Sequence, residues 1–119
     1  MTDPEETRRL AQAQLEAYNN HDIEAFAACY AEGVEVYDLG GALRFTGRDK
    51  LYQTYAAVFA SKPDLHAHLV GRLVVGDTAV DQERVTGMRD DGEEVHALAI
   101  YKVADSLIQS VWFTVANRG

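Results

Sequence analysis

The sequence predicts an α+β fold in which three N-terminal helices pack on a strongly curved, mostly antiparallel sheet. Apolar residues recur at helical spacing in the first half of the chain, whereas apolar and polar residues alternate in the second half. The 119 residues suit one domain spanning 1–119, and a hydrophobic content of 47% is enough for one core.

Three helices are expected. The first covers residues 4–20, with a proline in its first turn and acidic residues near its positive end. The second covers residues 22–33, starts with an aspartate cap, directs Cys29 and Tyr30 toward the core and ends at a glycine. The third covers residues 48–60 and stops before the Lys-Pro-Asp sequence.

Strands are expected around these helices. A short strand at 34–38 runs into two glycines, and residues 42–46 pair back on it. Four longer strands follow at 66–75, 78–88, 93–103 and 107–116, separated by turn sequences rich in Gly, Asp and Ser.

The charge and the ends of the chain argue against several classes of partner. The net charge is −8 and the 11 Lys and Arg residues are scattered, so we expect neither nucleic acid nor an anionic membrane as a partner. The N-terminus is acidic and polar, unlike a signal peptide, and no apolar run is long enough to span a bilayer. We therefore expect a cytoplasmic protein.

Metal and cofactor sites are not predicted. Cys29 is the single cysteine, which excludes an internal disulfide and favours core packing over nucleophilic chemistry. His66 and His68 have the spacing of a metal pair on one strand face, but no third ligand follows from the sequence. No phosphate loop or dinucleotide fingerprint occurs, so we expect no bound cofactor.

The stretch VEVYDLGG places an acid where an apolar residue is expected. Val34 and Val36 share a strand face, and the next residue on that face is Asp38. A carboxylate facing a core costs several kcal/mol unless it is paired, hydrogen-bonded or neutralised. Either the strand ends before Asp38, or Asp38 faces a cavity that admits water or a ligand.

The chain as a whole resembles the nuclear transport factor 2-like superfamily, and within it the SnoaL-like and ketosteroid isomerase-like branch. The resemblance rests on the order and spacing of AYNNHD, IEAFAACYAEGVEVYD, FTGRDKLYQTYAAVF and IQSVWF. It implies a cone-shaped half-barrel closed by helices, a pocket that binds a small apolar or carbonyl-bearing ligand, and a homodimer formed through the outer sheet face.

The resemblance also implies roles for individual residues. The general base of proteins similar to ketosteroid isomerase matches Asp38, and two supporting tyrosines match Tyr30 and Tyr55. The family's catalytic tyrosine falls at Gln14, whose amide is a weaker electrostatic stabiliser than a tyrosine phenol. The family's protonated acid falls near Ala99, which offers no polar group. These two departures weigh against steroid isomerisation by the same constellation, because one lost oxyanion donor costs on the order of 100-fold in rate.

Other residues could line the pocket. In the strand at 78–88 neither face is purely apolar, because Asp81, Glu83 and Val85 lie on one face and Gln82 and Arg84 on the other. The family register favours Gln82 and Arg84 as the inward pair, whereas a shift of one residue would turn Asp81 and Glu83 inward instead. Arg84 opposite Asp38 would suit an anion-binding or paired site, although the same residues also fit a polar dimer interface. Tyr18, Tyr101 and Trp112 are candidate ligand-binding aromatics, with core packing as the alternative for each.

Three functions are compatible with this pattern. The first is a cofactor-independent isomerase, cyclase or lyase in which Asp38 removes a proton next to a carbonyl and Gln14, Tyr18 or Tyr55 stabilises the developing charge. The second is non-catalytic binding of a small apolar ligand. The third is a dimeric interaction module, which the mixed, charged strand at 78–88 would suit.

Overall fold

The computed structural model describes residues 2–116 and confirms the α+β fold. Its helices are α1 (Pro4–Asn19), α2 (Ile23–Ala27) and α3 (Arg48–Ser61). Its strands are β1 (Tyr30–Asp38), β2 (Leu43–Thr46), β3 (His66–Val75), β4 (Thr78–Thr86), β5 (Val95–Ala104) and β6 (Leu107–Ala116).

The first two helices begin at side-chain caps. Asp3 Oδ1 accepts a hydrogen bond from the Glu6 amide at 2.9 Å, and Asp22 Oδ1 accepts one from the Ala25 amide at 3.1 Å. Each cap satisfies an amide that the helix itself leaves without a partner. The predicted starts of both helices are therefore confirmed.

The predicted length of the second helix is wrong. Helix α2 has five residues, and strand β1 already begins at Tyr30, which pairs with Ile108 of β6. The Cys29 amide still donates to the Phe26 carbonyl at 3.2 Å, but the Cys29 carbonyl accepts a 2.9 Å hydrogen bond from the Ile108 amide of β6 and so does not continue the helix. Gly33 consequently lies inside β1 and does not end a helix.

The six strands form one curved sheet in the order β2-β1-β6-β5-β4-β3. Neighbouring strands are antiparallel except β1 and β6, which are parallel. The bounds of β3 and β6 match the prediction, whereas β4 ends two residues earlier than expected, before Gly87. At Gly87 the backbone has a φ of +79°, which suits glycine, and a Cβ there would lie 2.3 Å from the Asp64 carbonyl oxygen.

The core lies between the helices and the inner face of the sheet. Its completely or almost completely buried side chains include Phe26, Val34, Leu51, Val103 and Ile108. The opposite, outer face carries exposed apolar side chains on the edge strand β3, of which Leu73 is 72% and Val75 79% exposed. Among residues 2–116, no helix combines the length and the apolar character that a bilayer span requires.

Candidate functional site

A cavity of about 690 Å³ opens between helices α1 and α3 and the inner face of the sheet. Most of its wall is apolar, as is common for small-molecule pockets. Two carboxyl side chains, Asp38 and Glu83, reach it. The other polar or aromatic side chains that line it are Gln14, Tyr18, Phe26, Tyr30, Arg44, Thr54, Tyr55, Tyr101, Phe113 and Thr114.

A cluster of aromatic rings forms one wall of the cavity. The Phe26 ring lies at its centre, with ring centroids 4.8 Å from Tyr55, 5.0 Å from Tyr30 and 6.1 Å from Tyr18. Because these tilted contacts involve residues from α1, α2, β1 and α3, they fix the helices against the sheet. The cluster brings together three of the predicted site tyrosines.

Gln14 and Tyr30 form a buried hydrogen-bonded pair. The Tyr30 hydroxyl donates to Gln14 Oε1 at 3.2 Å, and Gln14 Nε2 donates to the Ala11 carbonyl at 3.0 Å. Gln14 is only 4% exposed, yet its side chain lines the cavity. One Nε2 hydrogen is thus used within the helix, and the second is left for another acceptor.

The tyrosines around the cavity stay protonated. Burial is the main reason that the pKa values of Tyr18, Tyr30, Tyr55 and Tyr101 are raised, and the negative charge of Glu83 raises them further. Arg44 partly opposes this rise at Tyr55. Each phenol is therefore a neutral hydrogen-bond donor at neutral pH.

Asp38 lies at the mouth of the cavity, at the end of β1. Its side chain is 57% exposed, and Oδ1 lies 3.6 Å from Arg44 Nε. The Arg44 guanidinium in turn stacks over the Phe113 ring at 4.6 Å from the centroid. Asp38 thus lines a cavity, as the alternation in VEVYD suggested, but at its solvated rim.

The predicted inward direction of Gln82 and Arg84 is wrong. The inward face of β4 carries Glu83 together with the buried Asp81 and Val85. Arg84 lies on the other face, where Nη1 donates to Glu94 Oε1 at 2.8 Å, and does not meet Asp38. The register of β4 with β3 and β5 fixes this parity, because side chains alternate strictly between the two faces.

Asp81 is satisfied by a partly buried arginine from the neighbouring strand. Arg72 Nε donates to Asp81 Oδ1 at 2.6 Å and Arg72 Nη2 donates to Oδ2 at 2.9 Å. Asp81 is fully buried, and Arg72 also donates to Gln12 Oε1 at 3.0 Å. This bidentate geometry compensates for the cost of burying the aspartate charge.

Glu83 is a functional candidate on the face of β4 that the sequence analysis did not favour. Burial and the neighbouring charge of Asp81 raise its pKa from 4.5 to about 7, although Arg72 opposes the shift. A carboxyl that titrates near neutral pH inside a cavity is suited to proton transfer or to donating a hydrogen bond. The signal in the sequence is that Glu83 has the same parity as Ala79 and Val85, which are apolar.

The remaining predicted residues divide between the cavity and the outer face. Tyr101 is buried and lines the cavity, as does Ala99, which adds no polar atom. Trp112 instead stacks on Tyr37, with ring centroids 5.5 Å apart and planes inclined by 9°, so its assignment to the pocket is wrong. Tyr37 of β1 and Trp112 of β6 are paired on neighbouring parallel strands, at positions that face away from the cavity.

The histidine pair does not extend to a metal centre. The rings of His66 and His68 lie 4.5 Å apart between centroids. Across residues 2–116, no three His, Cys, Asp or Glu side chains are grouped so that they could hold a metal ion.

Comparison with known proteins gives one family match and many structural neighbours. The profile of the SnoaL-like domain matches residues 11–111. No curated protein matches the sequence significantly.

The fold recurs in solved structures from several bacteria. An uncharacterised cystatin-fold protein from Novosphingobium aromaticivorans has a TM-score of 0.83 at 24% identity, over 96% of this chain and 98% of that one. A candidate ketosteroid isomerase from Kribbella flavida has a TM-score of 0.82 at 27% identity, over 98% and 82%. A candidate polyketide cyclase from Sinorhizobium meliloti has a TM-score of 0.76 at 20% identity, over 89% and 94%.

Proposed function

The chain belongs to the SnoaL-like domain family, and from this premise we propose that it is a cofactor-independent isomerase, cyclase or lyase acting on a small carbonyl-bearing ligand. One observation carries the proposal: a carboxylate, Asp38, stands at the mouth of a mostly apolar cavity whose wall contains several neutral phenols. The structural neighbours include a candidate ketosteroid isomerase and a candidate polyketide cyclase, which is consistent with this reaction class.

In the proposed reaction Asp38 is the general base. The ionised carboxylate takes a proton from the carbon next to the ligand carbonyl, and the electron pair of that C–H bond becomes part of an enolate. The phenol of Tyr55, or the free Nε2 hydrogen of Gln14, donates a hydrogen bond to the developing negative charge. The apolar wall binds the rest of the ligand and excludes water from the reacting atoms.

Hydrogen–deuterium exchange tests this assignment. β-Tetralone is a suitable probe because it is a bicyclic ketone with exchangeable protons next to its carbonyl. In D₂O, NMR should show protein-catalysed exchange at that carbon, and Asp38→Asn should slow it by roughly 100-fold or more. Asp105→Asn is the matched control, since Asp105 is an exposed turn residue outside the cavity wall with a φ of +54° that asparagine accepts.

Non-catalytic binding is the second candidate function. It is favoured by the exposure of Asp38 and by its contact with Arg44, because a solvated ion pair at a pocket mouth needs no catalytic role. If β-tetralone binds to the cavity but no exchange above the protein-free rate is seen, the binding function replaces the catalytic one.

The proposal includes a homodimer formed through the outer face of the sheet. Leu73 and Val75 of the edge strand β3 are the most exposed large apolar residues of the described chain, and dimerisation would remove them from water. Such an interface leaves the cavity free, because the cavity opens on the opposite, inner face.

A further inference from the structure

We infer that Arg44 determines which ligands the cavity accepts: its guanidinium binds a carboxylate that the ligand presents at the mouth, while the apolar part of the ligand lies inside. The inference rests on the proposed function, because it concerns the same cavity. It narrows the ligand class from small carbonyl-bearing molecules to those that are also amphipathic carboxylates. Among residues 2–116, Arg44 is the one basic side chain of the cavity wall.

A β-bulge brings Arg44 to the mouth. Val36 of β1 pairs with Phe45 of β2, and the next residue of β1, Tyr37, pairs with Leu43. Arg44 is thus the extra residue of this hairpin. Val36 lines the cavity and Phe45 packs against the core, so strict alternation would turn the residue before Phe45 outward. Arg44 nevertheless lines the cavity, because a bulge redirects the side chain that it inserts.

Two contacts hold the guanidinium in place and leave one edge of it accessible. Its Cζ lies over the Phe113 ring of β6, 4.6 Å from the centroid. Asp38 Oδ1 lies 3.6 Å from Nε, which is longer than a hydrogen bond. Since Nε is the nitrogen nearest to Asp38, the Nη1 and Nη2 groups remain for a second anion, and their planar fork matches a carboxylate. The Arg44 side chain is 46% exposed, so a ligand at the mouth can reach this edge.

The charges of the cavity favour an anion only at the mouth. Further along the sheet the wall carries Glu83, and the buried Asp81 lies on the same face of β4. Arg72 does not offset them for a ligand, because both oxygens of Asp81 accept its hydrogen bonds. A carboxylate placed there would face acids, whereas a carboxylate at the mouth faces Arg44. The ligand is therefore oriented with its apolar end inside.

The rim around Arg44 suits an amphipathic molecule. Leu39 and Val115 line the cavity and are 45% and 51% exposed, so the mouth combines apolar surface with one cation. A ligand whose carbon chain covers Leu39 and Val115 while its carboxylate meets Arg44 matches both features. Binding the carboxylate at Arg44 also places the neighbouring carbon atoms beside Asp38, the proposed general base.

Two probes of one shape and different charge test the inference. Naphthylacetate is ionised at about pH 7, whereas naphthylacetamide has the same bicyclic frame and an uncharged amide. Titration calorimetry at low salt should show that the native protein binds the acetate roughly 10-fold more tightly than the amide. Raising NaCl from about 20 mM to about 300 mM should reduce this preference, because salt screens an exposed charge pair. The acetate should shift the amide NMR signals of Leu39 and Phe113 at the mouth.

Three variants separate the charge of Arg44 from its packing. Arg44→Met keeps the length and the apolar contact with Phe113, but the preference should reverse because Asp38 then repels the acetate. Its affinity for the amide should stay within about 2-fold of the native value, which shows that the cavity is intact. Arg44→Lys keeps the charge without the planar fork and should retain a smaller preference for the acetate. Arg8→Met is the matched control, since Arg8 is 48% exposed on α1 outside the cavity wall, and it should leave the native preference unchanged.

Several results would overturn the inference. These are equal affinities of the native protein for the acetate and the amide, a preference that Arg44→Met leaves unchanged, or an Arg44→Lys variant that is as indifferent to charge as Arg44→Met. The proposed reaction fails on a different measurement. If the acetate is preferred through Arg44 but Asp38-dependent exchange of β-tetralone is absent, the binding role of Arg44 stands and the catalytic proposal is wrong. If that exchange occurs without any preference for the acetate, the catalytic proposal stands and the inference about Arg44 is wrong.

Discussion

Removing Arg72 should expose the energetic cost of the buried aspartate next to the cavity. In Arg72→Met the two hydrogen bonds of 2.6 and 2.9 Å to Asp81 are lost, while the aspartate stays fully buried. Hydrogen bonds to a charged group contribute about 1.5–3 kcal/mol each, and breaking one partner of a buried ion pair costs about 3–5 kcal/mol in total. For a chain of this size that corresponds to a fall in Tm of roughly 10–25 °C.

A second arginine on the same sheet supplies the control. Arg84 contacts Glu94 at 2.8 Å, but both side chains are more than a third exposed, at 38% and 43%. Arg84→Met removes the same group from a pair of similar length, and it should lower the free energy of unfolding by about 0–1 kcal/mol. The difference between the two losses in free energy of unfolding therefore measures the effect of burial and not the chemistry of the substitution.

Urea unfolding followed by circular dichroism gives both free energies. The double variant Arg72→Met/Asp81→Leu should regain most of the stability lost in Arg72→Met, because no unpaired charge is left in the core. Equal losses in Arg72→Met and Arg84→Met would refute the reasoning. A double variant Arg72→Met/Asp81→Leu that is less stable than Arg72→Met would also refute it, since the aspartate would then stabilise the protein apart from its pair with Arg72.

Three further outcomes are expected. The pKa of Glu83 is about 7 in the folded protein against an ordinary 4.5. Its contribution to the free energy of unfolding is therefore complete below about pH 4.5 and is lost as the pH rises through 7. Urea unfolding at several pH values should show that Glu83→Gln removes about 1–3 kcal/mol of this pH dependence. Gly87→Ala should destabilise the protein by about 2–4 kcal/mol in the same assay, because its Cβ would collide with the backbone of Asp64, whereas Gly33→Ala has open space and should change little. Light scattering should give a dimer that Leu73→Glu converts to a monomer, and a monomeric native protein at all concentrations would contradict the proposed interface.

Local signals were sufficient for most of the fold. Helix caps at Asp3 and Asp22 and alternation in β3 and β6 are properties of short stretches, and the structure agrees with them. The extent of α2 could not be inferred in the same way. Cys29 and Tyr30 suit the apolar side of a helix equally well. The helix instead gives way to a turn at Cys29 and to strand β1 at Tyr30, because the distant strand β6 supplies hydrogen bonds there.

The candidate site was predictable only in part, because strand parity is ambiguous when both faces carry polar residues. Asp38 and the tyrosines followed from apolar stripes and from the resemblance to a family. In β4, Asp81 is tolerated inside only because Arg72 on another strand meets it, and a sequence pattern does not contain that cross-strand pairing. The parity of Glu83, and with it the outward direction of Arg84, depends on the same register.

The parallel pairing of β1 with β6 has a consequence for how the chain folds. Tyr30 and Ile108 meet across roughly 80 residues of sequence, so forming this seam requires closure of a long loop and contributes to a high contact order. The two strands also carry the stacked rings of Tyr37 and Trp112. Since Trp112 is the single tryptophan of the chain, its fluorescence in a stopped-flow refolding experiment would report the moment at which the seam closes.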